Sequence, residues 1–157
     1  MVSGSPDGGS PDASDRESSI SECVARCLEG IRKSRICLDA ADDALLEGIQ
    51  KQLFLAGHRL AIIDGADLVG KNGLMGAFAH GFGFPSHFGA NWDALLDCLS
   101  DMSWDTAPGF ACVLLNADRF RDAHPDEFET LCEVFEDLEE RHAGSDNARP
   151  FTLITIG

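Results

Sequence analysis

The chain has 157 residues, of which 27 are acidic and 12 basic, giving a formal charge of -15 at pH 7. This length suits one domain with a real hydrophobic core and one appended segment. So large a negative charge repels phosphate backbones and anionic lipids, so we expect no direct nucleic-acid binding and a basic protein or cations as partners. No uncharged apolar run approaches the roughly 18 residues of a membrane helix, and the N-terminus lacks the apolar core of a signal peptide.

The six cysteines lie mostly inside apolar periodic segments and form no CxxC pair or Cys/His cluster. Zinc sites and disulfide frameworks need such spacings. We therefore expect reduced thiols buried in the core, no metal ion and a cytoplasmic protein.

The first 58 residues predict a tail and a helical extension. Residues 1–17 are rich in Ser, Gly, Pro and Asp, which predicts a disordered tail. Ser19 and Glu22 resemble a capping box for a helix over 19–32, and residues 35–38 are a short extended candidate. Asp39 is the expected cap of a helix over 41–55, and the predicted buried face of that helix is Leu45, Leu46, Ile49 and Leu53.

The remaining residues alternate between apolar runs and helical patterns. Strands are predicted at 59–65, 110–115 and 150–156. Helices are predicted around Leu74, Met75 and Phe78, after the loop at 83–91, and from Pro125 to about residue 142. Strands separated by helices in this order indicate an α/β protein with a mostly parallel sheet.

The helix after the loop carries the most informative charge pattern. Its apolar side is Trp92, Leu95, Leu96 and Leu99, and Asp93, Asp97 and Asp101 point away from that stripe. The 47 residues from Asn72 to Asp118 contain no Lys or Arg. Because solvated helix faces usually mix both signs, this pattern favours binding to a basic partner over a passive surface.

The loop before this helix supplies further candidates. His87 could stack or hydrogen-bond on a partner, Gly89 is expected to hold a loop geometry that a Cβ would hinder, and Asn91 can cap the helix. Four other functions are a catalytic carboxylate pair, a cation on Asp93 and Asp97, nucleotide binding and nucleophilic catalysis. All four are disfavoured. The segment offers no two environments that would separate the pKa values of a carboxylate pair, and it has no calcium-binding loop. It also lacks a complete glycine fingerprint for nucleotide binding and a motif for a catalytic nucleophile.

A second acidic surface lies on the last predicted helix. Its members are Glu129, Glu133, Glu136, Asp137 and Glu140. A solvated helix side is the default interpretation. Asp137 gains a functional role only if folding places it beside Asp93 and Asp97.

The central motif resembles the barstar family, intracellular inhibitors of the ribonuclease barnase. The similarity covers about residues 59–157. It is densest at Pro85, Phe88, Gly89, Asn91, Asp93, Ala94, Leu95, Asp97, Cys98 and Leu99.

The resemblance implies a barstar-like fold, in which a three-stranded parallel sheet is packed by helices, here preceded by the N-terminal helical extension over 18–58. It also implies a non-enzymatic inhibitor, without cofactor, whose loop and helix plug a basic ribonuclease active site. The residues expected at that interface are His87, Gly89, Asn91, Asp93, Leu96, Asp97 and Asp137. His87, Leu96 and Met102 replace aromatic residues of the family.

Two functions follow from the sequence. The first is a cytoplasmic immunity or antitoxin protein that inhibits a barnase-like ribonuclease, with Asp97→Ala as the most damaging substitution. The alternative is a regulatory interaction module that binds another basic protein without inhibiting a nuclease.

Overall fold

The computed structural model describes residues 22, 25, 35–38, 42–145 and 149–157. The predicted tail over 1–17 lies outside the described residues. So does the predicted helix over 19–32, apart from residues 22 and 25, which are helical. The expected cap Asp39 is also outside them.

Strands and helices alternate along the described chain as the sequence predicts. Their order is β1 (Arg35–Leu38), α1 (Asp43–Leu55), β2 (Arg59–Asp64), α2 (Gly70–Phe82), α3 (Trp92–Asp101), β3 (Phe110–Leu115), α4 (Ala117–Ala123), α5 (Pro125–Ala143) and β4 (Phe151–Ile156). Strands β2, β3 and β4 agree with the predicted strands to within one residue at either end. The short helix α4 was not predicted.

The predicted three-stranded sheet with a helical extension is wrong, although the extended candidate at 35–38 is confirmed as β1. The sheet has four strands in the order β1-β4-β3-β2, and every neighbouring pair is parallel. The extension therefore contributes a strand as well as α1. The reason lies in β4, which is buried at all six positions and so needs a neighbour on each side. β1 fills the second place, with Ile36 opposite Ile154.

Helices cover both faces of the sheet. On one face, α2, α3 and α5 enclose an aromatic core in which the Phe82 and Phe151 rings meet edge to face at 4.8 Å. On the other face, Ile49 and Leu53 of α1 pack against alternate residues of the strands, such as Val113. The period-two alternation along β3 divides its side chains between the two cores.

Two local expectations changed. The α1 helix begins at Asp43, and its cap is Asp42, whose side chain accepts a hydrogen bond from the Leu45 N–H (2.8 Å). Of the four described cysteines, all free, Cys112 and Cys132 are buried, Cys98 is half-buried and Cys37 is exposed. The expected burial of the thiols therefore holds for the first two and not for Cys37.

Candidate protein-binding surface

An aromatic cluster fixes the loop between α2 and α3. The Phe84 ring meets the rings of Phe88 and Trp104 at 4.9 Å and 5.8 Å, both nearly edge to face. The Trp104 indole N–H donates to the Phe82 carbonyl (3.0 Å), and the Phe88 N–H donates to the Pro85 carbonyl (3.0 Å). These contacts leave His87 exposed at a turn whose two ends are anchored.

The residues that join the loop to α3 differ from expectation in one respect. Ala90, not Gly89, adopts the left-handed conformation, with φ of 52°. A Cβ added to Gly89 would lie 3.2 Å from the Asn91 Nδ2 atom, a tight contact that a small shift can relieve. The predicted cap is confirmed, since the Asn91 side chain accepts a hydrogen bond from the Ala94 N–H (2.8 Å).

The α3 helix separates apolar and acidic side chains as its periodicity predicts. Asp93, Asp97 and Asp101 are exposed. Leu96, expected to contact a partner, is only 9% exposed and belongs to the core. Its packing position leaves it little area to offer a second protein.

Folding brings α5 alongside α3. The two helices lead into neighbouring parallel strands, β3 and β4, so they run in the same general direction. The Arg141 Nη1 atom of α5 lies 3.0 Å from the Asp97 Oδ1 atom of α3. Asp93 precedes Asp97 by one turn, and Asp137 precedes Arg141 by one turn. Helical periodicity therefore puts Asp137 on the same side of α5 as Arg141, the side that meets α3 at Asp97.

We call the exposed sides of loop 83–91, of α3 and of α5 residues 137–141 the acidic surface. No Lys or Arg lies near the α3 carboxylates in sequence, but the fold brings one cation, Arg141, beside them. Asp97 pairs with Arg141, whereas Asp93 and Asp137 have no ion-pair partner among the described residues. No sequence signal pointed to this pair, because its members are 44 positions apart.

Cys98 lies between two of these carboxylates and is not activated. Burial raises the pKa of the Cys98 thiol, and the charges of Asp101 and Asp97 raise it further. A thiol with a raised pKa holds little thiolate at neutral pH and is a poor nucleophile.

Within the described ranges, no three His, Cys, Asp or Glu side chains are grouped to hold a metal ion. Over the same residues, no helix is both long and apolar enough to cross a bilayer.

Comparison with known proteins gives one family and one group of folds. The profile of a family described as Barstar (barnase inhibitor) matches residues 58–155, more than half of the chain. No curated protein matches the chain.

The solved structures that the chain resembles include two of the Aeropyrum pernix ORC2 protein. Its ADP form is 12% identical, with a TM-score of 0.66 over 91% of this chain and 40% of that one. The ADPNP-ADP complexes are 13% identical, with a TM-score of 0.65 over 97% and 42%. This chain thus spans about two fifths of those proteins. At such identities the likeness concerns the fold alone, and it extends over more of this chain than the Barstar match does.

Proposed function

Because the chain belongs to the Barstar (barnase inhibitor) family, we propose that it inhibits a barnase-like ribonuclease by placing its acidic surface in the basic cleft that holds RNA. Inhibition of this kind blocks access of substrate and needs no catalysis by the inhibitor. On this proposal the protein acts in the cytoplasm as an immunity or antitoxin protein.

The observation that carries the proposal is the pair of exposed carboxylates on neighbouring helices. Asp93 on α3 and Asp137 on α5 both lack an ion-pair partner among the described residues, and the packed helices hold them at fixed positions. A basic cleft supplies the missing countercharges. The net charge of -15 also steers a basic protein toward this chain, so association should slow as salt is added.

The ion pair of Asp97 changes which substitution should matter most. Asp97 already has Arg141 as a countercharge. Asp97→Ala therefore removes a negative charge that is partly neutralised, and it should weaken binding less than the sequence predicts. Asp93 has no such partner in the part of the chain that the structure describes, and its carboxylate should meet the cleft directly.

The test uses barnase as the probe and measures RNA cleavage with increasing amounts of this protein. The wild-type chain should inhibit at micromolar concentration. Asp93→Ala should weaken inhibition by about 2 kcal/mol or more, roughly thirtyfold, because it leaves a cation of the enzyme buried and unpaired. The matched control is Asp122→Ala, which removes the same charge from an exposed position on α4.

Undiminished inhibition by Asp93→Ala would show that binding occurs elsewhere on the chain. Absence of inhibition by the wild-type chain at micromolar concentration would contradict the proposal for barnase-like enzymes.

The alternative remains a regulatory module for another basic protein. The Asp97–Arg141 pair favours it, because a cation within the acidic surface reduces its complementarity to a wholly basic cleft. That module would bind a basic protein without changing RNA cleavage in the same assay.

A further inference from the structure

Arg141 is a positive charge within the acidic surface. Its Nη1 atom is 3.0 Å from the Asp97 Oδ1 atom and 3.1 Å from the Ser100 Oγ atom. No other Lys or Arg occurs in loop 83–91, in α3 or in α5. The neighbouring His142 adds no charge at neutral pH, because burial lowers its pKa. Arg141 is therefore the one Lys or Arg side chain that the segments of the acidic surface themselves contribute.

Much of the guanidinium of Arg141 is free to meet a partner. Its side chain is 46% exposed, and both hydrogen bonds to Asp97 and Ser100 use Nη1. A guanidinium carries five N–H donors in a planar fork. Its Nε and Nη2 donors make no hydrogen bond to the described residues, and a carboxylate accepts two donors arranged in this way.

We infer that Arg141 selects the partner: the cognate ribonuclease presents a carboxylate to Arg141, beside the basic groups that meet Asp93 and Asp137. This inference rests on the proposed function. A cleft that is basic at every point places a cation against Arg141, and like charges brought together at an interface weaken binding strongly. An acidic group at that one point turns the repulsion into an attraction, so Arg141 discriminates between otherwise similar nucleases.

The test is a charge scan on the enzyme. Single Asp substitutions are introduced at the rim of the barnase cleft, and the dissociation constant of each variant is measured with wild type and with Arg141→Gln. The matched control is Arg121→Gln, which removes an exposed cation from α4, outside the acidic surface. Thermal unfolding of all three proteins checks that each is folded.

At least one Asp substitution should tighten binding of the wild-type chain and of Arg121→Gln by about tenfold or more, and leave Arg141→Gln unimproved. A scan in which the barnase variants bind but no gain depends on Arg141 overturns the inference and leaves the proposed function intact. If no barnase variant binds the wild-type chain or Arg141→Gln, the proposed function fails and the inference fails with it.

Discussion

Asp97 and Asp105 come from the same stretch without Lys or Arg, and the fold treats them differently. Asp97 lies on α3 with its side chain 70% exposed and one contact to Arg141. Asp105 lies in the loop before β3, 10% exposed, and is held by Arg59 and by the N–H of Ala107 (2.9 Å). A local excess of acidic residues therefore does not by itself mark a binding site. Burial and hydrogen bonding make Asp105 a stabilising residue, whereas the exposed carboxylate of Asp97 remains accessible to a partner.

Arg149 is the centre of the loop region that contains Asp105. Its guanidinium donates to the carbonyls of Met102, Asp105 and Ala107 at 2.6 to 2.8 Å, with a longer contact to that of Asp101. Its Cζ atom also stacks 4.9 Å from the centre of the Phe110 ring. One side chain therefore ties the end of α3, the loop and β3 together.

Replacement of Arg149 by Ala should produce the largest loss of stability among these substitutions. Its removal leaves several partly buried carbonyls without a donor, which we expect to cost about 3 kcal/mol of unfolding free energy. Urea denaturation measures this loss. Arg149→Lys should recover only part of it, since an ammonium cannot reproduce the planar fork. A loss below about 1 kcal/mol in Arg149→Ala would show that water replaces the guanidinium.

Replacement of Asp105 by Asn should cost somewhat less, about 2 kcal/mol, because it weakens charge-assisted hydrogen bonds from Arg59 and Ala107. Burial alone would raise the pKa of Asp105. The hydrogen bonds from Ala107 and Arg59, with the charges of Arg59 and Arg149, outweigh burial and hold this pKa below its usual value.

The pH dependence follows from that direction. A carboxyl whose pKa is lower in the folded than in the unfolded state stabilises the protein above its unfolded pKa, and this stabilisation is lost as the pH falls through the folded pKa. The difference in unfolding free energy between wild type and Asp105→Asn should be constant from pH 8 to about 5 and shrink below about 4. A difference that stays constant into strong acid would mean that the ionised carboxylate is not the source of the effect.

The predictable parts of the fold are the strands and helices whose own residues show a clear apolar run or a helical period. The apolar run of β3 and the apolar stripe that follows Pro125 in α5 need no distant information. The place of β1 in the sheet could not be predicted in this way. Its partners in β4 are more than 110 positions away, and four residues carry too short a pattern to show which strand they join.

The candidate surface was predictable to a similar extent. Helical periodicity placed Asp93 and Asp97 outside and Asn91 at the cap, as the structure has them. The same periodicity put Leu96 on the apolar side, and only the family resemblance made it an interface residue. Arg141 was missed because its role depends on the packing of two helices, which no local pattern reports.

Replacement of Asp93 by Asn tests whether an exposed carboxylate of α3 contributes to stability, and it should have the smallest effect on the unfolding free energy. The carboxylate gains from the positive end of the α3 dipole and loses from repulsion by Asp97 four residues on, each a few tenths of a kcal/mol. These effects oppose each other, so the unfolding free energy should change by less than about 0.5 kcal/mol. Urea denaturation in low and high salt gives the measurement, with Asp122→Asn as the control of equal charge.

A loss above about 1 kcal/mol in Asp93→Asn would mean that this carboxylate supports the fold in the way Asp105 does. The exposure of Asp93 would then no longer indicate a carboxylate that binds a partner. Weaker inhibition by Asp93→Ala would be explained by a perturbed α3 helix rather than by a lost contact with the enzyme. A stable Asp93→Asn protein removes that explanation, so the inhibition assay then reports on the contact itself.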